Sequence, residues 1–233
     1  MKRSTEKEMM DLPGNPKALL VEDLRNLRTI NRYLGGYRGV IKGLKQQLVG
    51  QDRLKQFSLL DVGTGSADIP KVIVRWARNQ SIEATIVALE PDPVTAEEAA
   101  HQTQDCPEIT VIRADGMIPP FQAASFDFVL ASQMLHHFTD DKIIVLLKTW
   151  SGLTRKAILV SDLVRDPLAY YGIRLITRLF TRNEMTRFDG PLSVRRALTK
   201  KEWRALFREA AVGPFRLVPI FPYRQMTLIS VSR

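Results

Sequence analysis

A short apolar run that leads into two glycines limits how this chain can fold more than any other feature. The run Ser58–Val62 leads directly into Gly63-Thr64-Gly65, and a helical pattern follows from Ile69 to Asn79. Such a run predicts a buried strand. The glycines allow a tight turn, and the start of the helix offers free N–H groups to a ligand. The turn alone also fits any nucleotide-binding crossover or a plain strand–helix turn. Ser66 replaces the third glycine of a dinucleotide fingerprint, and the lysine of a Walker loop is absent.

Strands and helices then alternate along the chain. Strands are predicted at 84–89, 109–112, 126–131 and 157–161, with helices at 93–102 and 140–152. Two further strands, at 215–219 and 225–232, end the sequence. This alternation predicts an α/β fold with a seven-stranded, mostly parallel sheet and helices on both faces. With 233 residues, the chain has room for one such domain with an added cap.

Two segments lie outside the alternation. Residues 1–16 are predicted to form a mobile arm or an early turn, and residues 17–50 form two helices separated by Gly35-Gly36 and ended by Gly50. Residues 165–198 are basic and irregular, with one helix expected at 167–180 and then a loop through Asp189-Gly190-Pro191. We therefore predict a helical cap over 1–56 and a domain over 57–233. Its insertion at 165–198 is expected to act as a substrate lid. Thr199 and Glu202 form a predicted capping box.

Composition narrows the class of protein. The formal charge is +9, so an anionic ligand, an anionic membrane surface or a nucleic acid would suit the chain as partner. A single cysteine cannot form an internal disulfide, and three histidines with one cysteine cannot build a zinc cluster. No metal site is expected. The sequence shows neither a secretory signal nor an apolar run long enough to span a membrane, and we expect a cytoplasmic protein.

Carboxylates follow the second and third predicted strands. Glu90, in Leu89-Glu90-Pro91-Asp92, stands where an acid can accept hydrogen bonds from both hydroxyls of a ribose. Asp115, before Gly116-Met117, can accept from an adenine amino group while nearby N–H groups reach the ring. Each acid also has a simpler structural explanation, as a helix N-terminal acid or as a turn aspartate before glycine.

The combination of these signals resembles the class I S-adenosylmethionine-dependent methyltransferases, which have a Rossmann-like fold. The resemblance covers about residues 57–165 and includes Ser125-Phe126-Asp127 and Leu135-His136-His137-Phe138. It implies S-adenosylmethionine as cofactor. The methionine moiety would be contacted by Asp61, Gly63, Gly65 and Ser66, and the ribose and adenine by Glu90, Pro91, Asp115, Gly116 and Met117. The region of the donor methyl would be contacted by Ser132 and Met134. Ala67 departs from the family pattern, in which many members have a third glycine.

The resemblance also implies the reaction. The Leu-His-His-Phe string is similar to that of quinone-biosynthesis and small-molecule methyltransferases, so we expect O-methylation, or C-methylation, of a small aromatic, polyketide or quinone-like acceptor. His136 or His137 is a candidate base for a phenol or enol. Alternatively, one histidine packs beside the cofactor or caps the next helix. An RNA methyltransferase and a non-catalytic cofactor-binding protein remain the other hypotheses.

Acceptor binding is predicted to involve the lid and the N-terminal helices. The candidate residues are Tyr33, Arg165, Tyr170, Tyr171, Phe188 and Arg195, although salt bridges within the lid or ordinary core packing would explain them as well. Basic residues cluster in 17–55 and 165–208, where they would form a rim around the mouth of the site. Such a rim suits an anionic membrane surface or an acyl carrier protein, and RNA less well because stacking aromatics are not spaced there. A homodimer is a further alternative.

Overall fold

The computed structural model describes residues 1–48 and 55–231. The predicted helix end at Gly50 and the predicted strand residue Ser232 lie outside these ranges. The strands are β1 (Gln56–Val62), β2 (Glu83–Leu89), β3 (Ile109–Ile112), β4 (Phe126–Ser132), β5 (Thr154–Leu163), β6 (Phe215–Ile220) and β7 (Arg224–Ser230). The helices are α1 (Lys17–Tyr33), α2 (Gly36–Leu48), α3 (Asp68–Asn79), α4 (Pro93–Gln102), α5 (Asp140–Leu153), α6 (Pro167–Phe180), α7 (Glu184–Arg196) and α8 (Lys200–Ala210).

The strands form one sheet in the order β3-β2-β1-β4-β5-β7-β6. β1 pairs in parallel with both β2 and β4, so that Leu59 lies opposite Ile86 on one side and Phe128 on the other. β7 runs antiparallel to β5 and β6. The predicted mostly parallel seven-stranded sheet is thus confirmed. The strand order reverses between β1 and β4, and ligands of such sheets bind at the carboxyl ends on either side of this point.

Helices cover both faces of the sheet. Successive residues of a strand point to opposite faces, and Leu59 and Leu60 of β1 are both fully buried, each in a different core cluster. Leu44 of α2 shares the cluster of Leu59, whereas Trp150 of α5 shares that of Leu60. Because α2 contacts β5 and β7 directly, this helix forms part of the core. By contrast, α1 and the residues before it extend over the carboxyl ends of the strands.

The N-terminal arm, residues 1–16, is packed along α7. Ser4 N donates to Arg195 O at 3.0 Å, and Arg3 Nη2 donates to Phe138 O at 2.9 Å. The arm contains a single helical turn at Met9–Asp11 and a turn at Pro13-Gly14, where the prolines and the glycine indicated an early turn. These contacts bring Glu8, which is fully buried, into the interior of the protein.

The loop predicted through Asp189-Gly190-Pro191 is wrong, because α7 runs through it from Glu184 to Arg196. Asn183 caps the helix by accepting from Thr186 N at 2.9 Å. Gly190 has no Cβ to crowd the following proline, and a Cβ there would lie 3.2 Å from Thr177 of α6. Asp189 accepts from Met9 N at 2.7 Å and from Met10 N. Close packing against α6 and the arm therefore outweighs the local turn signal.

Candidate active site

A cavity of about 770 Å³ opens at the carboxyl ends of β1, β2 and β4. This volume lies within the range of about 300–1,000 Å³ that is typical of small-molecule sites. Every residue predicted to bind the cofactor lines the cavity, namely Asp61, Gly63, Gly65, Ser66, Glu90, Pro91, Asp115, Gly116, Met117, Ser132 and Met134. The structure thus brings together one set of residues from four separate segments. Their individual contacts with a cofactor stay predictions.

The glycine turn forms the floor of the cavity. Gly63 and Gly65 have φ angles of 65° and 59°, in the left-handed region that glycine enters without steric cost. A Cβ on Gly63 would lie 3.3 Å from Met134, so the narrow gap between the turn and β4 also favours glycine. Ala67 has a φ of 55° and is fully buried. This explains why glycine would suit the position where the sequence departs from the family pattern.

Two buried carboxyl groups flank the turn. Asp61 accepts from Thr64 Oγ1 at 2.7 Å, and Glu90 accepts from Gly65 N at 3.0 Å and from Asp92 N at 3.2 Å. Burial raises the pKa of both Asp61 and Glu90 to about 7. A ligand that donates hydrogen bonds to these oxygens would stabilise the ionised forms. Glu90 therefore has the chemistry that a ribose diol requires.

The walls of the cavity also fit a nucleoside cofactor. Asp115 accepts from Met117 N at 2.8 Å, which shapes the turn beside the predicted adenine site. On β4, the hydroxyl of Ser132 is buried and has no partner among the described residues. A buried hydroxyl without a partner is costly, and a polar ligand in the cavity would supply the missing hydrogen bond. The turn, the Glu90 carboxylate and this hydroxyl together match the cofactor that the resemblance implies.

Both candidate catalytic histidines border the cavity, and a carboxylate orients each ring. His137 Nδ1 lies 2.9 Å from Asp11, and His136 Nδ1 lies 2.7 Å from Asp162. Burial alone would raise the pKa of each aspartate, but the hydrogen bond and charge of its histidine lower it. When the ring is neutral, a carboxylate at Nδ1 holds the proton on that atom, and Nε2 then carries the lone pair. The His136 side chain is fully buried, whereas that of His137 keeps 16% of its surface exposed.

Glu8 of the N-terminal arm lies beside both histidines. Its carboxylate oxygens lie 3.6 Å from His136 Nε2 and 3.7 Å from His137 Nε2. Burial raises the pKa of Glu8 to about 7. These three side chains bring possible metal-ligand atoms within 4.8 Å of one another. However, the guanidinium of Arg196 already lies 3.7 Å from Glu8 and supplies positive charge at this point. The expectation of no metal stays a prediction.

The predicted acceptor residues lie elsewhere. None of Tyr33, Arg165, Tyr170, Tyr171, Phe188 and Arg195 is among the described residues that line the cavity. Arg165 donates to Ala197 O at 2.9 Å and pairs with Glu202 at 2.5 Å, so it fastens β5 to α8. Tyr33 and Tyr171 are exposed on the surface. Helix α6 instead presents Leu168, Ile173 and Ile176 to the cavity.

The structure also adds residues that the sequence analysis did not select. Asp23 and Asn31 of α1 are buried and line the cavity. Asn31 donates to Asp68 Oδ2 at 3.1 Å and accepts from Gln133, which ties α1 to the start of α3 and to the segment after β4. These polar residues interrupt the apolar face of α1, and that interruption was a usable signal. No local pattern marked Glu8 or Asp11, because only the folded arm brings them to the histidines.

Comparisons with known proteins agree with this geometry. Residues 60–156 match the family model described as "Methyltransferase domain". No curated protein matches the chain significantly. Among solved structures, human N-acetylserotonin methyltransferase in complex with SAM is 16% identical, with a TM-score of 0.66. That likeness covers 94% of this chain, which spans 57% of the human enzyme's chain.

Two bacterial structures are similar to the same extent. A SAM-dependent methyltransferase from Aquifex aeolicus is 14% identical, with a TM-score of 0.65 over 91% of this chain and 98% of its own. An O-methyltransferase family 2 protein from Planctomyces limnophilus, in complex with apigenin, is 15% identical, with a TM-score of 0.67 over 95% of this chain and 63% of its own. At such identities the likeness shows the fold.

The sheet order, the glycine turn and the acid at the end of β2 define a Rossmann-like domain for a nucleoside cofactor. Within that class, residues 60–156 match a methyltransferase domain, whose cofactor is S-adenosylmethionine, and the fold is shared with solved S-adenosylmethionine-dependent methyltransferases. The described residues contain no helix that is both long enough and apolar enough to cross a membrane.

Proposed function

We propose that this protein transfers a methyl group to an oxygen of a small aromatic, polyketide or quinone-like acceptor. S-adenosylmethionine, when bound, supplies a methyl group on a sulfonium, which is transferred by direct displacement. The chain must then orient the acceptor, exclude water and accept the hydroxyl proton. One observation carries the proposal: a histidine that is oriented by a carboxylate lies in the wall of the cavity, close to the predicted donor-methyl region.

His137 is the proposed proton acceptor. Asp11 lies 2.9 Å from Nδ1, so the neutral ring carries its lone pair on Nε2, which lies 3.7 Å from the carboxyl group of Glu8. Its partly exposed ring borders the cavity. His136 is enclosed by Glu8 and Asp162 and packs on His137 with 4.5 Å between the ring centroids. We therefore propose that His136 positions the His137 ring, while Nε2 of His137 takes the proton as the acceptor oxygen attacks the methyl carbon.

The apolar wall of the cavity supports the proposed acceptor class. Helices α1 and α6 contribute a largely apolar surface to the cavity, formed by Leu20, Leu24, Leu27, Ile30, Ile173 and Ile176. Such a surface favours a flat or lipophilic molecule with few charges. The complex of the Planctomyces protein with apigenin is consistent with an acceptor of this kind, and so is the similarity of the Leu-His-His-Phe string to small-molecule methyltransferases.

The test measures turnover on a panel of phenols and hydroxyquinones, with the release of S-adenosylhomocysteine as the readout. With an active member of the panel, His137→Gln should lower turnover by about 10²–10⁴ at neutral pH, because the general base is lost. Cofactor affinity should barely change, and higher pH should partly restore the rate as the acceptor ionises by itself. Asp11→Asn should lower turnover less, because the ring loses its orienting partner but keeps its basic nitrogen.

His101→Gln is the matched control, since His101 is exposed on α4, away from the cavity. It should retain wild-type turnover. Full activity in both the His136→Gln and His137→Gln variants would contradict the base and leave proximity as the whole mechanism. A protein that binds S-adenosylmethionine but turns over no member of the panel would contradict the acceptor class.

A further inference from the structure

An unusual apolar stripe runs along the outer face of α6. Leu168, Tyr171, Leu175 and Leu179 are 69%, 64%, 59% and 68% exposed. Their spacing of three, four and four residues places them on one side of the helix. The helix packs on α7, and its buried residues are Ala169 and Thr177. Four large apolar residues in one exposed row form a contiguous patch of the kind that marks an interaction surface.

Basic residues border this stripe. Arg174 and Arg178 are exposed and each directly precedes a leucine of the stripe in sequence. Arg182 and Arg187 are exposed just beyond the helix. Between residues 167 and 187 the chain contains these four arginines and one acid, Glu184. The helix therefore has an apolar face flanked by positive charge, which is the pattern of helices that lie in a membrane interface.

The stripe is continuous with the mouth of the cavity. Leu168 belongs to the stripe and also lines the cavity, together with Leu12 of the arm and Tyr223 before β7. Leu12 and Tyr223 are themselves partly exposed, and Phe221, next to the cavity residue Pro222, is 83% exposed. A surface seated on α6 would therefore also meet the entrance through which an acceptor reaches His137.

We propose that this face docks on an anionic lipid surface, with α6 lying in the interface and the cavity mouth turned toward the lipid. Apolar side chains in the interface and arginines beside anionic headgroups stabilise such binding together. A second copy of the chain suits the face less well, because a two-fold interface would set the arginine row of one copy near that of the other. An acidic carrier protein would pair with the arginines but would leave the leucines uncovered.

The proposal is tested by flotation of the full-length protein with phosphatidylcholine vesicles and with vesicles that also contain phosphatidylglycerol. We expect binding to the anionic vesicles that weakens as salt is added. Leu175→Ser with Leu179→Ser should weaken it at least about tenfold, and so should Arg174→Glu with Arg178→Glu. These residues are not among the described residues of the cavity wall, so cofactor binding should persist and report intact folding.

Matched controls are Val145→Ser on α5 and Arg75→Glu on α3, which change an exposed apolar and an exposed basic residue on other helices. Both should bind vesicles as the wild type does. Absence of wild-type binding to anionic vesicles would overturn the proposal, and so would equal loss in the controls. A dimer in solution that dissociates in the double-serine variant would assign the stripe to a second copy instead. None of these measurements depends on the acceptor or on methyl transfer.

Discussion

Replacing Glu90 by glutamine should separate cofactor binding from folding. Both oxygens of Glu90 already accept a backbone hydrogen bond, from Gly65 N and Asp92 N. A carboxylate has about four acceptor positions, so one position on each oxygen is free for a ribose hydroxyl. In Glu90→Gln, the amide NH₂ group replaces one carboxylate oxygen. This group is itself a donor, so it would face the backbone N–H group of Gly65 or Asp92 without an acceptor between them. The variant thus loses at least one charge-assisted hydrogen bond to the ribose.

Such a bond contributes about 1.5–3 kcal/mol. Since about 1.4 kcal/mol corresponds to a factor of ten, the affinity for S-adenosylmethionine should fall about 10- to 150-fold. Titration calorimetry measures this directly, and a thermal melt shows whether the variant is folded. Glu83→Gln, at the exposed start of β2, is the control and should bind as the wild type does.

Proton release gives an independent check on the same residue. The pKa of Glu90 is raised by burial to about 7, and hydroxyl donors favour its ionised form. Binding near pH 7 should therefore release protons, which calorimetry in buffers of different ionisation enthalpy detects. In Glu90→Gln the release should be smaller. Unchanged affinity and unchanged proton release in a folded variant would refute the assignment of the ribose to Glu90.

Three further outcomes follow from packing, charge and the arm. Leu44→Ala should lower the free energy of unfolding by about 2–5 kcal/mol in urea, because Leu44 is fully buried in the core beside the sheet; a negligible change would contradict the placement of α2. Without cofactor, the free energy of unfolding should fall as pH rises from about 4 to about 7. The reason is that Asp61 and Glu90 keep their protons in the folded protein up to a pKa of about 7, whereas their ordinary pKa values are 3.8 and 4.5. A free energy of unfolding that rises through this pH window would refute the raised pKa values. Deleting residues 1–13, which removes Glu8 and the orienting Asp11, should greatly lower turnover while cofactor affinity stays within about fivefold; equal loss of both in the calorimeter and the rate assay would make the arm part of the cofactor site.

Local pattern was sufficient to predict the sheet and the cofactor side of the cavity. A buried strand, a glycine turn and an acid at the next strand end are each encoded within a few residues, and the carboxyl ends of parallel strands meet at one edge. Asp61, Gly63 and Glu90 therefore come together whenever the predicted sheet forms. The capping box of Thr199 and Glu202, which the structure contains, is equally local.

The side of the cavity with the histidines depended on contacts between distant parts of the chain. Glu8 and Asp11 reach the histidines across more than a hundred positions of sequence, and no periodicity records such a contact. Helix α7 forms through Gly190-Pro191 because the arm binds Asp189 and α6 packs closely against Gly190. By itself, the sequence determined the sheet, the turn and the class of cofactor. The tertiary structure decided which side chains line the rest of the cavity, because their positions depend on packing between segments whose local sequences carry no information about one another.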